Sequence, residues 1–368
     1  MHSNAQQSWK TYCQNELALL EPVITMLGFT LEEHQPHLGG ERHLMQAITT
    51  TSGRKLILLG KEVVSGKRVV VKATRNVDGM REISHERTCR TALKNIAFAY
   101  QVFFSPDELF FGKHGGFLIS IQTFIEHDQP FLERPVSEAF ALALRAFKAQ
   151  ESAHATTYAH ERMVQKTFGS IDAEGYLASY RSFMENIRSR IPERSDIHTL
   201  LIQGESALMK DRAIIEQYCG FLTHTDFVPH NIRIAGDTIY LLDHASIRFG
   251  NKYEGWARFL NFMTLYWREL EDALLFYVRN NRTPEEYRSL ELMRIFRLGE
   301  IIWYYTKLLE QTSGNLRELT ETRITFWGQV LEATLAGTLI PESIVHEYQK
   351  KRNRLRSPEE QERQKGLH

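Results

Sequence analysis

Residues 221–249, FLTHTDFVPHNIRIAGDTIYLLDHASIRF, alternate short apolar runs with polar loops. Phe221 and Leu222 open a run that ends at His224. Ile232 and Ile234 flank Arg233, the alternation of a half-buried strand. Gly236-Asp237 is a turn pair, and Ile239, Tyr240, Leu241 and Leu242 form a second apolar run. The pattern predicts strand, loop, strand, tight turn, strand, with polar groups gathered at the ends. The loop holds His224, Asp226 and Asn231 in the spacing H-x-D-x-x-x-x-N, and the hairpin's second strand ends at Asp243.

The hairpin brings Asp243 back beside Asn231, because Gly236-Asp237 folds its two strands antiparallel. A carboxylate and an amide carbonyl then face one space. Two hard oxygen donors that leave room for water and phosphate suit Mg²⁺. Asp226, earlier in the loop, is a third oxygen group, able to accept a proton from an incoming hydroxyl. A base beside metal ligands is the division of labour that phosphoryl transfer needs. Alone, any of these residues would be read as a turn former bonding its own backbone. A rival reading joins His224, Asp226, His230, Asp243 and His244 into a transition-metal hydrolase site, but their spacing matches no zinc pattern.

The constellation resembles the kinase-like phosphotransferases, in the small-molecule branch that holds aminoglycoside and choline kinases. His224-x-Asp226-x-x-x-x-Asn231 stands where that branch has H-G-D-x-x-x-x-N, and Asp243 stands where it has the metal-binding Asp. The resemblance implies Asp226 as catalytic base, Asn231 and Asp243 as Mg²⁺ ligands, and His224 as a structural brace. It implies ATP with Mg²⁺ as cofactors and a hydroxyl of a small molecule as acceptor.

At 368 residues the chain is long enough for two lobes. Lys+Arg and Asp+Glu both total 45, so no charge excess points to nucleic acid or an anionic membrane. No apolar run approaches bilayer-spanning length. Cys13, Cys89 and Cys219 are scattered and odd in number, which argues against a disulfide framework and for a reduced, cytoplasmic setting. The first ten residues, MHSNAQQSWK, lack the apolar centre of a signal peptide.

Residues 5–27 read as an amphipathic helix with Pro22 inside it and Gly28 as its C-cap. Three antiparallel strands follow, ERHLMQAIT, KLILLGKEV and KRVVVKAT, the last two joined by a short Ser65-Gly66-Lys67 loop. The family comparison makes Lys72, on the third strand, the lysine that meets ATP phosphates. Its bland reading is an edge-strand solubility lysine. On the next helix Glu82 and Glu86 share a face at i, i+4. Glu86 is the preferred partner of Lys72, because Ile83, Cys89 and Leu93 flank it, and Glu82 is the alternative. The phosphate loop is degenerate: Thr49-Thr50-Thr51-Ser52-Gly53-Arg54 has one glycine, so Ser52 and Gly53 are its candidates for contact with phosphate oxygens. Gln122 to Glu126, including Phe124, fall where the comparison puts the adenine-facing hinge.

From Pro135 onward the pattern is helical on both sides of the central motif. His154 and His160 are read as packing residues. After Asp243 the chain has His-Ala-Ser rather than Phe-Gly, and GNKYEGWARFLN replaces the family's G-D-P-x-x-D-L-A segment, with Arg258 near the expected Asp. That departure leaves the anchoring of the loop unexplained. Helices are expected over 254–280, 284–311, 314–337 and 341–355, rich in aromatic residues that are mostly core. Glu269, Glu271 and Asp272 beside them would suit a cationic acceptor.

The expected fold is two-lobed α+β: a small antiparallel-sheet lobe with one key helix over 1–126, a larger helical lobe over 127–356, and a charged, disordered tail over 357–368. The expected activity is transfer of the γ-phosphoryl group of ATP to an alcohol. The alternative is a catalytically idle nucleotide-binding or scaffold protein on the same fold, supported chiefly by the degenerate phosphate loop.

Overall fold

A computed structural model of the chain describes residues 9–38, 54–95, 103–152, 162, 165–358 and 360–361. The described residues of Met1–Thr88, Ser105–Glu126 and Ser357–Leu367 form one compact unit, and those of Cys89–Phe104 and His127–Arg356 form another.

The first unit begins with helix α1, Trp9–Met26. Leu20, Val23 and Ile24 are buried on one face at helical spacing, and Pro22 is carried inside the helix. The helix stops at Gly28, whose φ of +86° puts it in the left-handed region that lacks a penalty only for glycine. Strand β1, Phe29–Leu31, follows at once. It pairs antiparallel with β2, Leu56–Glu62, in the register Phe29↔Glu62. Sequence reading placed a first strand at 41–49, which lies outside the described residues. The described strand beside β2 comes from the three residues after the helix cap.

β2 turns through Gly66, at φ +69°, into β3, Arg68–Thr74. β5, Glu108–His114, and β6, Phe117–Thr123, are joined through Gly115 and Gly116 and complete the order β1-β2-β3-β6-β5, antiparallel throughout. Val69, Val71 and Ala73 of β3 are buried together with Leu56, Leu58, Ile119, Ile121 and the buried face of α1. The period of two therefore turns Lys72 to the opposite face. Helix α2, Val77–Asn95, follows β3 and carries Ile83 and Glu86 as buried residues.

In the second unit β4, Phe103–Phe104, runs parallel to β9, Thr238–Leu241, which pairs with β8, Ile232–Ala235. β7, Phe221–His224, pairs antiparallel with β10, Ile247–Gly250. Around them stand α3 Val136–Ser152, α4 Ala173–Arg190, α5 Ser195–Lys210, α6 Arg212–Gln217, α7 Glu254–Tyr266, α8 Arg268–Asn281, α9 Pro284–Leu309, α10 Gly314–Leu335 and α11 Glu342–Leu355. α9 starts with a capping box, Thr283 and Glu286 each accepting from the other's backbone N–H. Gly204 of α5 and Gly299 of α9 leave room for Tyr180, since a Cβ at either position would run into its ring.

The single helix expected over 254–280 is two helices. Trp267 adopts φ −157°, ψ 84° between α7 and α8, and its ring meets Phe131 edge-on at 6.3 Å. No proline or glycine marks the break, because tertiary packing makes it. The helical stretch from Ser195 to Gln217 likewise divides at Asp211, between α5 and α6. No helix among the described residues is long and apolar enough to cross a membrane.

Candidate active site

The loop from His224 to Asn231 has little backbone pairing of its own, so side chains and neighbouring strands hold it. Ile247 of β10 sits opposite His224 of β7. Beyond that pair, Thr225 donates to the Ser246 carbonyl from both its N–H (2.7 Å) and its hydroxyl (2.9 Å). His224 donates from Nε2 to the Leu242 carbonyl at 3.1 Å, and the Leu242 N–H donates to the Asn231 carbonyl at 2.8 Å. Phe227 and Val228 are fully buried and fasten the middle of the loop to the core, Phe227 lying 5.5 Å from the Phe147 ring. Pro229–Asn231 then forms one tight 3₁₀ turn, its Asn231 N–H bonded to the Val228 carbonyl. The hairpin returns Asp243 to within one residue of this contact, as the turn pair predicts.

Asp226 is about one-third exposed, and both of its oxygens are engaged. Arg258, one turn into α7, brings Nε to 2.9 Å and Nη2 to 2.8 Å of Oδ1. Asn231 donates from Nδ2 to Oδ2 at 3.0 Å and to the Asp226 carbonyl at 2.8 Å. His230 Nε2 stands 3.8 Å from Oδ2. Burial alone would push the Asp226 carboxyl up. The Arg258 charge and the hydrogen bond and charge of His230 outweigh it and hold the group well below the usual carboxylate range.

The two partners of the Asn231 amide are a carbonyl and a carboxylate, which only accept, so its NH₂ must face them and its Oδ1 is left as the hard acceptor. Asp243 is the one non-glycine residue with positive φ among the described residues, at φ 54° and ψ 56°. A carboxylate residue bears that conformation at lower cost than a branched one, but it still costs on the order of 1 kcal/mol. The strain accompanies a turn: the Ser246 N–H bonds the Asp243 carbonyl at 3.0 Å, and the Ser246 hydroxyl donates to Oδ2 at 2.6 Å. Oδ1 of Asp243 and Oδ1 of Asn231 are a carboxylate and an amide oxygen on adjoining segments, a donor set of the chemistry Mg²⁺ takes.

In the first unit Lys72 Nζ lies 2.5 Å from Glu86 Oε1, both side chains largely buried. Glu82 instead meets Lys55 at 2.9 Å. The pair therefore falls on the glutamate with buried neighbours. Gln122 lies buried in β6 with its amide 3.4 Å from the Ser120 hydroxyl. The Phe124 N–H donates to the Arg68 carbonyl at 3.1 Å, and the Arg68 guanidinium sits 4.2 Å over the Phe124 ring. Ser52 and Gly53 lie outside the described residues.

Two parts of the site escaped sequence reading. Arg258, which the sequence places near an expected Asp, is the principal cation at Asp226. The local anchoring left open there is met by Gly255, whose N–H donates to the Thr223 hydroxyl at 3.0 Å. One residue earlier, Glu254 is fully buried between Arg248 at 2.5 Å and Arg297 at 3.3 Å, and accepts from the Tyr176 hydroxyl at 2.8 Å. Burial would raise the Glu254 carboxyl, but the two arginines bring it below its ordinary value. A charged residue just before an apolar helix stripe was the available signal. The histidine-rich hydrolase reading finds no support: His224 spends Nε2 on a backbone carbonyl, and among the described residues no group of three or more His, Cys, Asp or Glu is disposed to hold a metal.

No protein-family model matches the chain, and no curated protein is significantly similar to it. Solved structures are. A thermostable mutant of aminoglycoside phosphotransferase APH(4)-Ia in its apo form superposes with a TM-score of 0.54 at 11% identity, over 80% of this chain and 97% of the other. An aminoglycoside phosphotransferase from Alicyclobacillus acidocaldarius gives 0.53 at 14%, over 81% and 94%. A ternary complex of an APH(4)-Ia mutant with AMP-PNP and hygromycin B gives 0.52 at 13%, over 77% and 93%. With its five-stranded antiparallel sheet, its hairpin-borne Asp243 and its helical remainder, the chain has the kinase-like fold of the aminoglycoside phosphotransferases.

Proposed function

We propose that the protein is an ATP- and Mg²⁺-dependent phosphotransferase that moves the γ-phosphoryl group to a hydroxyl of a small molecule. The observation that carries this reading is the gathering of Asp226, Asn231 and Asp243 on one loop and hairpin, with Asn231 bonded to Asp226 and its carbonyl bonded next to Asp243. Asp226 is the base: it orients the acceptor hydroxyl and takes its proton as the oxygen attacks phosphorus. Asn231 Oδ1 and Asp243 would hold Mg²⁺, which when bound supplies positive charge to the phosphate oxygens. Lys72, steadied by Glu86, supplies a further cation for the phosphates. Gln122 lies in β6 and Phe124 just after it, where the backbone would meet adenine, and Ser52 and Gly53 would contact the phosphate oxygens.

A nucleotide complex of a fold neighbour supports ATP as donor, and its hygromycin B supports a hydroxyl-bearing small molecule as acceptor class. Thermal-shift titration with ATP, with and without Mg²⁺, tests the reading on wild type and Asp243→Ala. A ligand that binds only the folded state raises the melting temperature. The expected result is a Mg²⁺-dependent rise that Asp243→Ala loses, followed by ADP release when hydroxyl acceptors are supplied. A rise without ADP release from any acceptor would favour the idle nucleotide-binding protein. No rise with any nucleotide would sink both.

A further inference from the structure

We propose that Arg258 is a positioning residue for phosphoryl transfer: its grip on Asp226 Oδ1 fixes how the carboxylate faces the acceptor hydroxyl. The inference rests on the phosphotransferase reading and deepens it. Arg258 meets the carboxylate at Oδ1 alone, with Nε donating at 2.9 Å and Nη2 at 2.8 Å, so the guanidinium fixes the direction in which the carboxylate faces. At Oδ2 Asn231 Nδ2 donates at 3.0 Å and His230 Nε2 stands 3.8 Å away, so each carboxylate oxygen has a polar neighbour. The Asp226 side chain is 32% exposed while that of Arg258 is 20% exposed, so the base reaches solvent more than its clamp does.

The clamp is itself held. Arg258 stands one turn after Glu254, and the buried Glu254 is gripped by Arg248 of β10 and Arg297 of α9. The Gly255 N–H bond to the Thr223 hydroxyl ties the start of α7 to β7, three residues before Asp226. The guanidinium therefore belongs to a helix end whose position is set on three sides. A side chain that only balanced charge would not need this support. During transfer Arg258 neither gains nor loses a proton. The acceptor proton passes to the Asp226 carboxylate while the new oxygen–phosphorus bond forms, the bond from the γ-phosphorus to the ADP oxygen breaks, and ADP leaves.

Steady-state ADP release tests this, with MgATP as the probe and water as acceptor, on wild type, Arg258→Ala and Arg258→Lys. Displacing a reacting group by about an ångström costs about 10²-fold. Arg258→Ala is therefore expected to lower kcat about 10²-fold with the KM for ATP unchanged. Arg258→Lys, which keeps the charge but not the fork, should recover part of it. Millimolar guanidinium chloride should restore turnover to Arg258→Ala and not to Asp226→Asn, a rescue that a purely structural role would not show. Unchanged kcat overturns the inference. Raised kcat does so too, since Arg258 would then restrain Asp226. Should Arg258→Ala fail to fold, Arg258→Lys carries the test by the same split of kcat against KM. Wild type that neither shifts with MgATP nor releases ADP above Asp243→Ala overturns the phosphotransferase reading, and the inference with it. Wild-type release with an indifferent Arg258→Ala overturns the inference alone.

Discussion

The Lys72–Glu86 and Asp226–Arg258 pairs are similar in length, 2.5 Å and 2.8 Å, but stand on different kinds of backbone. Lys72 is the fifth residue of a seven-residue strand bonded to β2 on one side and β6 on the other. The ladder settles its main chain, and one carboxylate from α2 suffices to place its ammonium. Asp226 lies between a four-residue strand and a single 3₁₀ turn. Its segment needs Thr225, His224, Asn231 and two apolar anchors to be held, and its side chain needs two donors. Regular backbone satisfies its own polar groups, and an irregular loop must recruit side chains to do so. The difference implies that substitutions at the loop act on transfer itself, whereas those in the sheet act on nucleotide affinity.

The largest expected effect falls on the loop. Asp226→Asn should lower phosphoryl transfer by about 10²- to 10⁴-fold, the usual worth of a positioned base, while the MgATP thermal shift persists. Retained ADP release in that variant would break the assignment. In the sheet, Glu86→Gln leaves Lys72 without its counter-ion on unaltered strands. The expected result is a raised KM for ATP with a smaller fall in the urea midpoint than Glu254→Gln gives, and a lowered midpoint with KM unchanged would mean that the pair is structural.

Glu254→Gln tests how far the loop depends on its support. Removing one charge from a buried cluster leaves Arg248 without its carboxylate and Arg297 with Glu300 alone, at a cost of about 3–5 kcal/mol by urea denaturation. A cost under about 1 kcal/mol would show that α7 does not need this clasp. His127 gives a smaller, pH-linked effect. Its burial, with the charges of Arg233 and Arg134, pushes it from 6.5 down to about 4. The unfolded chain then binds a proton that the folded chain refuses. Stability contributed by the neutral ring is full above 6.5 and is lost as pH falls towards about 4. Urea midpoints of His127→Gln should decline less over that interval than those of wild type, and equal slopes would exclude the residue as their source. The smallest effect belongs to the β2–β3 turn. Gly66→Ala, at φ +69° with open space around it, should cost about 1 kcal/mol and leave MgATP binding alone. A larger loss would mean that the turn does more than reverse the chain.

Much of this was legible because it is local. The spacing of His224, Asp226 and Asn231, the Gly236-Asp237 turn and the strand-terminal Asp243 each follow from neighbours a few residues apart. The preference for Glu86 over Glu82 came from the apolar residues around it, and burial decides that pair. Other features are set by contacts distant in sequence. β1 was passed over because three residues, Phe29–Leu31, carry no periodic signal, and only the free edge of β2 makes them a strand. The break at Trp267 has no helix-breaking residue to announce it.

What the chain's own order of residues dictates is the sheet's alternation, the motif of Asp226, Asn231 and Asp243, and the chemistry those oxygens permit. Arg258 was in plain view and uninformative, since an arginine on an amphipathic helix is ordinarily a solvated charge. It becomes the partner of Asp226 because Glu254, buried between arginines drawn from β10 and α9, fixes where α7 begins. That role depends on residues up to 43 positions apart in the chain, and only the folded packing brings them together.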